Sequence, residues 1–249
     1  MMKPAFYTGV SGLVAFQQNL NSIGNNIANS NTNGYKPVET SFRDLLNNKM
    51  YVNTPNEPLS GNGVRAVSSG INVESAALIP GNGPLDLAII GKGWFCVESG
   101  GEKMYTRDGS FSISLSGNTA NLVNPNGDFV LDAAGNRISA TIDSANPNDK
   151  EPDTLSKKLM DKVGVYNFVY PEALTPASGN CYKANELTGT ATSAKEGDYY
   201  ILNNYLERSG VSVADEMTNL ITAQRSFQLS ARVVQTADEL EQTINSLRG

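Results

Sequence analysis

Histidine is absent from this 249-residue sequence, and cysteine occurs only twice, as Cys96 and Cys181. Without histidine, the Ser-His-Asp triad, the Cys-His dyad and the HExxH zinc site are all excluded. Two isolated cysteines provide neither a disulfide framework nor the CxxC spacing of a metal or redox centre. Cys96 lies inside the apolar stretch GWFCV, where a small buried hydrophobic residue is expected. We therefore predict no metal site and no bound cofactor.

Basic residues and long apolar runs are also scarce. The net charge is -6 and no cluster of Lys or Arg is present, which argues against nucleic acid or an anionic membrane as a partner. No stretch approaches 18 consecutive apolar residues, and the N-terminus MMKPAFYTGVSGLVAF lacks the apolar core and cleavage site of a Sec signal peptide. We therefore expect no membrane insertion and, if the protein leaves the cytoplasm, a route without a cleaved Sec signal.

Three short motifs could each form a binding site, but each has a simpler structural interpretation. IIGKGWF is similar to a phosphate-binding glycine loop, but it lacks the Walker spacing GxxxxGK(S/T) and is followed by a strand-like stretch and not by a helix. Nucleotide binding is therefore not expected. YTRDGSF could present Arg107 as an exposed recognition element, but Asp108-Gly109 favours the tip of a hairpin. NPNGDFVLD lacks the register of a calcium loop and indicates an Asn-Gly hairpin. Since no pair of acidic residues stands out as a glycosidase dyad, we predict that the protein is not an enzyme.

The first 30 residues carry an apolar stripe at helical spacing. Its members recur at intervals of three, four and seven residues: Phe6, Leu13, Phe16, Leu20, Ile23 and Ile27. This pattern predicts an amphipathic helix over residues 5–28, with an opposite face that is polar but scarcely charged. Because Gly9, Gly12 and Gly24 each cost about 1 kcal/mol of helix propensity relative to Ala, we expect this helix to be marginal by itself.

Five asparagines lie in the segment NNIANSNTNGYK, residues 25–36. Asn favours turns and left-handed backbone, so the helix is expected to end here, with Asn33-Gly34 in left-handed positions. Asn26 precedes that turn, at a helical position where Ala would be better by up to about 0.7 kcal/mol. We expect the amides of Asn25 and Asn26 to bond to neighbouring helices in the assembled state, so that Asn26→Ala impairs assembly more than folding.

A second helical pattern occupies the C-terminus. It begins with Ser212 three residues before Asp215, a capping-box-like start. It continues without Gly or Pro, in steps of mostly three or four, through Val213, Met217, Leu220, Phe227, Ala231, Val234, Ala237, Leu240, Ile244 and Leu247. About 35 residues correspond to roughly 50 Å of helix, a length typical of coiled coils and packed helix pairs.

Between the helices the pattern is that of strands and turns. Residues 37–84 are rich in Pro, Gly, Asn and Ser, which predicts an extended linker with short strands at 64–67 and 71–78. From PLDLAII onward, alternating apolar residues and turn dipeptides predict an antiparallel meander that closes into a small sandwich or barrel. The polar, Pro-containing segment 144–158 is predicted to be a loop.

The predicted fold is therefore mixed α and β, with long N- and C-terminal helices that pair as a coiled-coil-like stalk and a central all-β domain of antiparallel sandwich or barrel type. Four segments are expected: an N-terminal assembly helix (1–34), an extended linker with short strands (35–84), the central β domain (85–208) and a C-terminal assembly helix (209–249). The apolar stripes of the two helices need a partner, which is either the other helix or another copy of the chain.

Three parts of the sequence resemble the flagellar axial proteins of the bacterial rod and hook. The family's N-terminal signature is similar to YTGVSGLVAFQQNLNSIGNNIANSNTNGYKP, and its core β domain is similar to NGPLDLAIIGKGWFCVESGGEKMYTRDGSFSIS with NGDFVLDAAGNRI. Its second signature and terminal helix are similar to ALTPASGNCYKANELTGTA and YLERSGVSVADEMTNLITAQRSFQLSARVVQTADEL. The short length is typical of the basal-body rod proteins of the FlgF and FlgG type.

This resemblance implies a structural subunit of the flagellar rod in the cell envelope, exported by the flagellar type III apparatus. The subunit would assemble with copies of itself and with other rod and hook proteins into a helical tube that transmits motor torque to the hook. The terminal helices would form the inner layer of that tube. The implied self-assembly residues are Phe6, Leu13, Phe16, Leu20, Ile23, Asn26, Ile27, Leu220, Phe227, Val234, Leu240, Ile244 and Leu247.

A secreted or surface β-domain binding protein is the alternative function. It would recognise cell-wall glycan or a host ligand through YTRDGSF or the loop at 144–158. This alternative predicts a stable monomer with dispensable helical ends, whereas the rod function predicts that the ends are needed for assembly.

Overall fold

The structure is a computed structural model that describes residues 4–46, 48–49, 59–141, 152–195 and 197–247. The helices are α1 (Pro4–Ala28), α2 (Pro152–Met160) and α3 (Val213–Ser246), with 3-10 turns at Pro171–Ala173 and Ser178–Asn180. The strands are β1 (Val38–Asp44), β2 (Asn48–Lys49), β3 (Leu59–Ser60), β4 (Val64–Ile71), β5 (Leu78–Pro80), β6 (Leu87–Gly91), β7 (Trp94–Ser99), β8 (Glu102–Thr106), β9 (Ser112–Ser116), β10 (Thr119–Val123), β11 (Phe129–Val130), β12 (Ser139–Thr141), β13 (Val165–Asn167), β14 (Thr175–Pro176), β15 (Tyr182–Lys183), β16 (Thr192–Ser193), β17 (Tyr199–Asn203) and β18 (Tyr205–Glu207). The predicted mixture of two long terminal helices and a central antiparallel sheet is confirmed.

The chain divides into two compact units. Unit 1 comprises residues 1–28, 38–69 and 212–249, and unit 2 comprises residues 29–37 and 70–211. Both terminal helices therefore belong to unit 1, although they lie at opposite ends of the sequence.

Unit 1 contains the helix pair α1 and α3 and a two-stranded ribbon in which β1 pairs with β4. α1 begins at Pro4, a residue suited to the first turn of a helix. α3 has Asp215 and Glu216 in its first turn, where negative charge is favourable. The capping box expected there does not form, because the Ser212 side chain makes no capping hydrogen bond.

The Asn-rich segment after α1 belongs to unit 2 and forms a turn over residues 29–34. Gly34 has a φ of +66°, but Asn33 is not among the residues with positive φ. The helix end and the left-handed glycine are as predicted, and the left-handed asparagine is wrong.

Unit 2 is built on a ten-stranded antiparallel sheet whose main path runs β12-β10-β11-β7-β8-β15-β14, with β9, β13 and β16 paired to its sides. Two further pairs are β6 with β17 and β5 with β18. Among the described strands this path does not close on itself, so the expected barrel is not formed. The linker prediction also needs correction, since β4 extends from residue 64 to residue 71 and residues 72–77 contain no strand.

The core of unit 2 lies around β7. Its first four residues, 94–97, are all buried, as expected for a strand that is covered on both faces. Phe95 and Val97 point to one face and join the main hydrophobic cluster, while the alternate residue Trp94 packs edge-on against Tyr182 at 5.1 Å. Cys96 is completely buried, as predicted.

Helix α2 lies where a loop was predicted at 144–158. Residues 144–151 are outside the described residues, but Pro152–Met160 is helical. Leu155 and Leu159, one helical turn apart, are buried in the core of unit 2. Pro152, which favoured a loop in the sequence, occupies the helix start, where proline is well tolerated.

Candidate self-assembly interface

Within unit 1, α1 and α3 lie side by side and run in opposite directions. Gly9 lies against Val234, and Asn26, near the other end of α1, bonds to Glu216. Residue numbers that rise along α1 therefore fall along α3. The α3 residues at steps of three and four on this side are all buried or half-buried: Glu216, Leu220, Ala223, Phe227, Ser230, Val234, Ala237 and Glu241.

Two glycines of α1 allow a close approach of the helices. A Cβ atom on Gly9 would lie 2.8 Å from Cγ2 of Val234, and one on Gly12 would lie 3.1 Å from Oγ of Ser230. Both distances are shorter than the usual separation of atoms in van der Waals contact. A Cβ on Gly24, by contrast, would meet nothing within 4 Å. Gly9 and Gly12 are thus contact residues of the helix pair.

Asn26 makes its hydrogen bonds inside unit 1. Its Nδ2 donates to Oε1 of Glu216 at 2.8 Å and to the backbone oxygen of Val38 at 3.1 Å, and its Oδ1 accepts from the Val38 amide at 3.0 Å. The residue is buried. The bond to a neighbouring helix expected for this amide is made within the chain, to Glu216 of α3, so Asn26 fixes the end of α1 to α3 and β1 in the subunit itself.

A second side of α1 packs against the ribbon of β1 and β4. The amide of Val64 donates to Oγ of Ser11 at 3.3 Å. The ring centroids of Phe16 and Phe42 lie 5.3 Å apart. Together, α3 and the ribbon cover two sides of α1 and leave one side exposed.

The exposed side of α1 carries no charge. None of the 25 residues of α1 is Asp, Glu, Lys or Arg. Its exposed large apolar side chains are Tyr7, Val10 and Val14, which are spaced three and four residues apart and share one face. The solvent face of a helix in a soluble protein normally carries charged and polar residues, so this composition is unusual for a surface that stays in water.

The C-terminal end of α3 is also apolar and exposed. Leu240, Ile244 and Leu247 lie in its last turns, again at steps of four and three. Gly9 lies opposite Val234, and the two helices are antiparallel. Pro4, the first described residue of α1, therefore lies opposite Glu239. These three side chains therefore extend past the described part of α1.

Three family models match the sequence. They are described as flagella basal body rod protein (residues 6–36), flagellar hook protein FlgE/F/G D1 domain (residues 88–153) and flagellar basal body rod FlgEFG protein C-terminal (residues 202–247). The flagellar basal-body rod protein FlgG of Buchnera aphidicola subsp. Baizongia pistaciae is 32% identical over 99% of this chain and 100% of its own length. The chain belongs to the flagellar basal-body rod protein family.

Rod-family relatives from distant bacteria match over the same extent. The FlgG protein of Bacillus subtilis is 30% identical over 99% of the chain and 100% of its own length. That of Caulobacter vibrioides is 32% identical over 98% of the chain and 99% of its own length. The resemblance to rod proteins of the FlgF and FlgG type is thereby confirmed.

The interface residues predicted for this rod-family chain fall into three groups. The half-buried group is Phe6, Leu13, Phe16, Leu20, Ile27, Leu220, Phe227 and Val234; the buried group is Ile23 and Asn26; the exposed group is Leu240, Ile244 and Leu247. Sequence reasoning missed further exposed apolar residues of both helices, namely Tyr7, Val10, Val14, Ile221, Leu229 and Val233. A search for a second apolar stripe beside the first would have found them.

Among the described residues, the recognition elements of the alternative function are not exposed loops, and residues 144–151 lie outside the described residues. Arg107 is 3% exposed, and the described part of the segment 144–158 is helical. Asp108-Gly109 is not the tip of a hairpin either, because β9 pairs with β10 and β8 pairs with β7. The rod-family relatives do not favour this alternative.

In the described part of the chain, no helix is long and apolar enough to cross a membrane.

Proposed function

We propose that this rod-family chain is a structural subunit of the bacterial flagellar basal-body rod, which self-assembles with other axial proteins into a helical tube that transmits motor torque to the hook. The uncharged, partly apolar exposed side of α1 is the observation that supports self-assembly most directly. A contiguous exposed apolar surface is typical of a site that another molecule covers. The chain acts by assembly, and we assign it no enzymatic activity.

The two apolar surfaces of unit 1 suit one another as partners between copies. We define the α1 surface as Tyr7, Val10 and Val14, and the α3 end as Leu240, Ile244 and Leu247. Both have three apolar side chains at steps of three and four, which is the arrangement by which helices pack together. The proposal is that the α3 end of one copy covers the α1 surface of the next.

Such a contact joins two different surfaces and therefore need not close. A heterologous contact repeated from copy to copy produces a ring or an open helical filament, depending on the rotation. An open helical filament is what a rod requires. The 3–4 spacing of the buried side of α3 also supports our proposal that α1 and α3 form a coiled-coil-like stalk within each copy.

The remaining assignments belong to the same proposal. We propose assembly segments at 1–34 and 209–249, which contain α1 and α3, with the linker with short strands at 35–84 and the β domain at 85–208. The site of action is the basal body in the cell envelope, and the flagellar export apparatus is the proposed route there. A helix as rich in Gly and Asn as α1 is marginal alone, which suits a chain that is exported largely unfolded and completes its packing on assembly.

Disulfide cross-linking tests the proposed contact. Val14 and Ile244 are replaced by cysteine in one chain, and concentrated protein is oxidised with its rod partners. In the register of α1 and α3, Val14 falls opposite residue 229, so 15 residues, about 22 Å of helix, separate it from Ile244 along α3. A bond between them within one chain is too long, because disulfides need Cα atoms within about 7 Å. A disulfide at this pair therefore joins two copies.

The expected result is disulfide-linked dimers and higher oligomers in assembled material, with filaments visible by electron microscopy. The pair Val14→Cys and Leu115→Cys is the control, since Leu115 is exposed but lies in unit 2, and it should remain monomeric on oxidation. Filaments without the Val14–Ile244 bond would refute this contact and leave self-assembly intact. If the intact chain and a chain lacking residues 1–30 assemble no differently with the rod partners, the role of α1 in assembly is wrong.

A further inference from the structure

Three charged side chains are buried together in unit 2, and no sequence pattern connects them. Lys36, Arg107 and Glu207 are each at most 3% exposed. Nζ of Lys36 lies 2.7 Å from Oε1 of Glu207, and Nη1 of Arg107 lies 3.2 Å from Oε2 of the same carboxylate. Burial lowers the pKa of both Lys36 and Arg107, and the nearby Glu207 carboxylate opposes that shift. Such a cluster is expensive to bury, and an apolar core of the same volume is often as stable or more so.

Glu207 lies where three distant segments of unit 2 meet. Its Oε1 also accepts from the amide of Ala76 at 2.9 Å, and its backbone oxygen accepts from the amide of Gly34 at 2.7 Å. Three residues later, the amide of Gly210 donates to the backbone oxygen of Tyr35 at 2.9 Å. The segments around residues 35, 76 and 208 are therefore tied side by side.

Each of these segments lies close in sequence to a point where the chain crosses from one unit to the other. The chain passes from unit 1 to unit 2 after residues 28 and 69, and from unit 2 to unit 1 after residues 37 and 211. The covalent backbone at these crossings is one route by which force applied to the helices of unit 1 enters unit 2.

The cluster is in turn anchored to the sheet. Nη1 and Nη2 of Arg107 donate to the backbone oxygens of Ile89 at 3.3 Å and Gly91 at 2.8 Å, at the end of β6. The Arg107 guanidinium lies 5.5 Å from the ring centroid of Trp94 in β7. The amide of Lys36 donates to the hydroxyl of Tyr182 in β15 at 3.0 Å. One carboxylate thus joins three chain segments to strands of the core.

We infer that Glu207 is a positioning residue for the rod function: through Lys36, Arg107 and the Ala76 amide it holds the three segments at fixed positions on the sheet, so that torque passes between the units without the segments giving way. Directed hydrogen bonds and ion pairs fix positions in a way that apolar contacts of equal stability do not. The torque part of this inference rests on the proposed rod function, whereas the positioning part does not.

Hydrogen exchange tests the positioning. In the variant Lys36→Met/Arg107→Met/Glu207→Met, the cluster is replaced by apolar side chains of similar length, which avoids the uncompensated buried charge that Glu207→Gln alone would leave. The amides of Gly34 and Gly210 keep their backbone acceptors in this variant. We expect them to exchange at least tenfold faster than in the wild type, while amides of β7 are unchanged. Glu98→Gln, which removes the exposed ion pair with Arg137, is the control and should alter neither.

Swimming speed in media of rising viscosity tests the torque part. Cells with the triple variant should assemble rods and swim normally at low viscosity, and should lose speed more steeply than wild-type or Glu98→Gln cells as viscosity rises. Unchanged exchange at Gly34 and Gly210 would refute the positioning role. Faster exchange with an unchanged speed at high viscosity would refute the link to torque. If even wild-type protein is found outside the rod, the proposed function fails, and the exchange result still decides the positioning role.

Discussion

Replacing Gly9 by alanine should weaken the helix pair of unit 1, although alanine is the better helix former. Ala improves helix propensity over Gly by about 1 kcal/mol. At Gly9, however, the new Cβ would lie 2.8 Å from Cγ2 of Val234, and a β-branched valine in a helix has essentially one χ1 rotamer with which to respond. Overpacking of this kind costs typically about 1–3 kcal/mol. The net effect of Gly9→Ala is thus expected to be a destabilisation of up to about 2 kcal/mol.

Gly24→Ala is the matched control in the same helix. Its new Cβ meets nothing within 4 Å, so the substitution should stabilise by about 1 kcal/mol. Each kcal/mol corresponds to roughly 2–4 °C in the midpoint of thermal unfolding for a chain of this size. The two variants should therefore shift the midpoint, followed by circular dichroism at 222 nm, in opposite directions.

A double substitution identifies the atom responsible. Val234→Ala removes the methyl group that Gly9→Ala would meet, so the double variant should be less destabilised than the sum of the two single variants, with a coupling of about 1–3 kcal/mol. Equal stabilisation by Gly9→Ala and Gly24→Ala would refute the close approach of α1 and α3 at Gly9. A coupling near zero would mean that Val234 is not the neighbour that limits the site.

Three further outcomes follow from buried groups. Asn26→Ala should lower the free energy of unfolding of the isolated subunit by about 1–3 kcal/mol, since it leaves buried partners without their hydrogen bonds. Urea unfolding measures this change, and a decrease of less than about 0.5 kcal/mol would contradict the prediction. Gly34→Ala should lower the free energy of unfolding by more than about 2 kcal/mol, because its Cβ would lie 2.4 Å from a backbone atom at a φ of +66°. Gly100→Ala is the control, since Gly100 has a φ of +58° but no neighbour within 4 Å. This variant should be destabilised only by the smaller backbone strain. Burial raises the pKa of the Cys96 thiol to about 12 and that of Cys181 to about 11, so the folded protein should resist thiol reagents at pH 8. Between pH 9 and these raised pKa values the unfolded chain loses its thiol protons first, so the free energy of unfolding should fall by up to about 1.4 kcal/mol per thiol and pH unit. Burial also raises the pKa of Tyr105 to about 12, so the double alanine variant should lose the thiol part of the slope and keep the tyrosine part.

The two terminal helices were predictable because their periodicity is long and regular. The apolar stripe at 5–28 and the pattern from Ser212 onward gave bounds close to those of α1 and α3. Helix α2 was missed because it is short and only Leu155 and Leu159 mark its buried side, within a polar segment that contains proline. A pattern of two residues is too short to distinguish a helix from a loop.

Contacts between distant segments were beyond sequence reasoning. From the sequence, Gly9 and Gly12 were expected only to lower the stability of α1, because helix propensity describes an isolated helix and not the helix that packs against it. The partner of Asn26 could not be identified from the sequence because Glu216 follows it by 190 residues. The cluster around Glu207 has no local signal at all, because its three charges come from separate segments that only the fold brings together.

The uncharged composition of α1 has a consequence for the conditions in which the helix can hold its neighbours. Salt screens interactions between exposed charges over a distance of about 10 Å at 0.1 M, whereas apolar contacts and amide hydrogen bonds contain no net charge to screen. A contact made through Tyr7, Val10 and Val14 should therefore keep its strength from dilute to concentrated salt. A rod whose copies meet through this surface should therefore depend less on the salt concentration than one held together by exposed ion pairs.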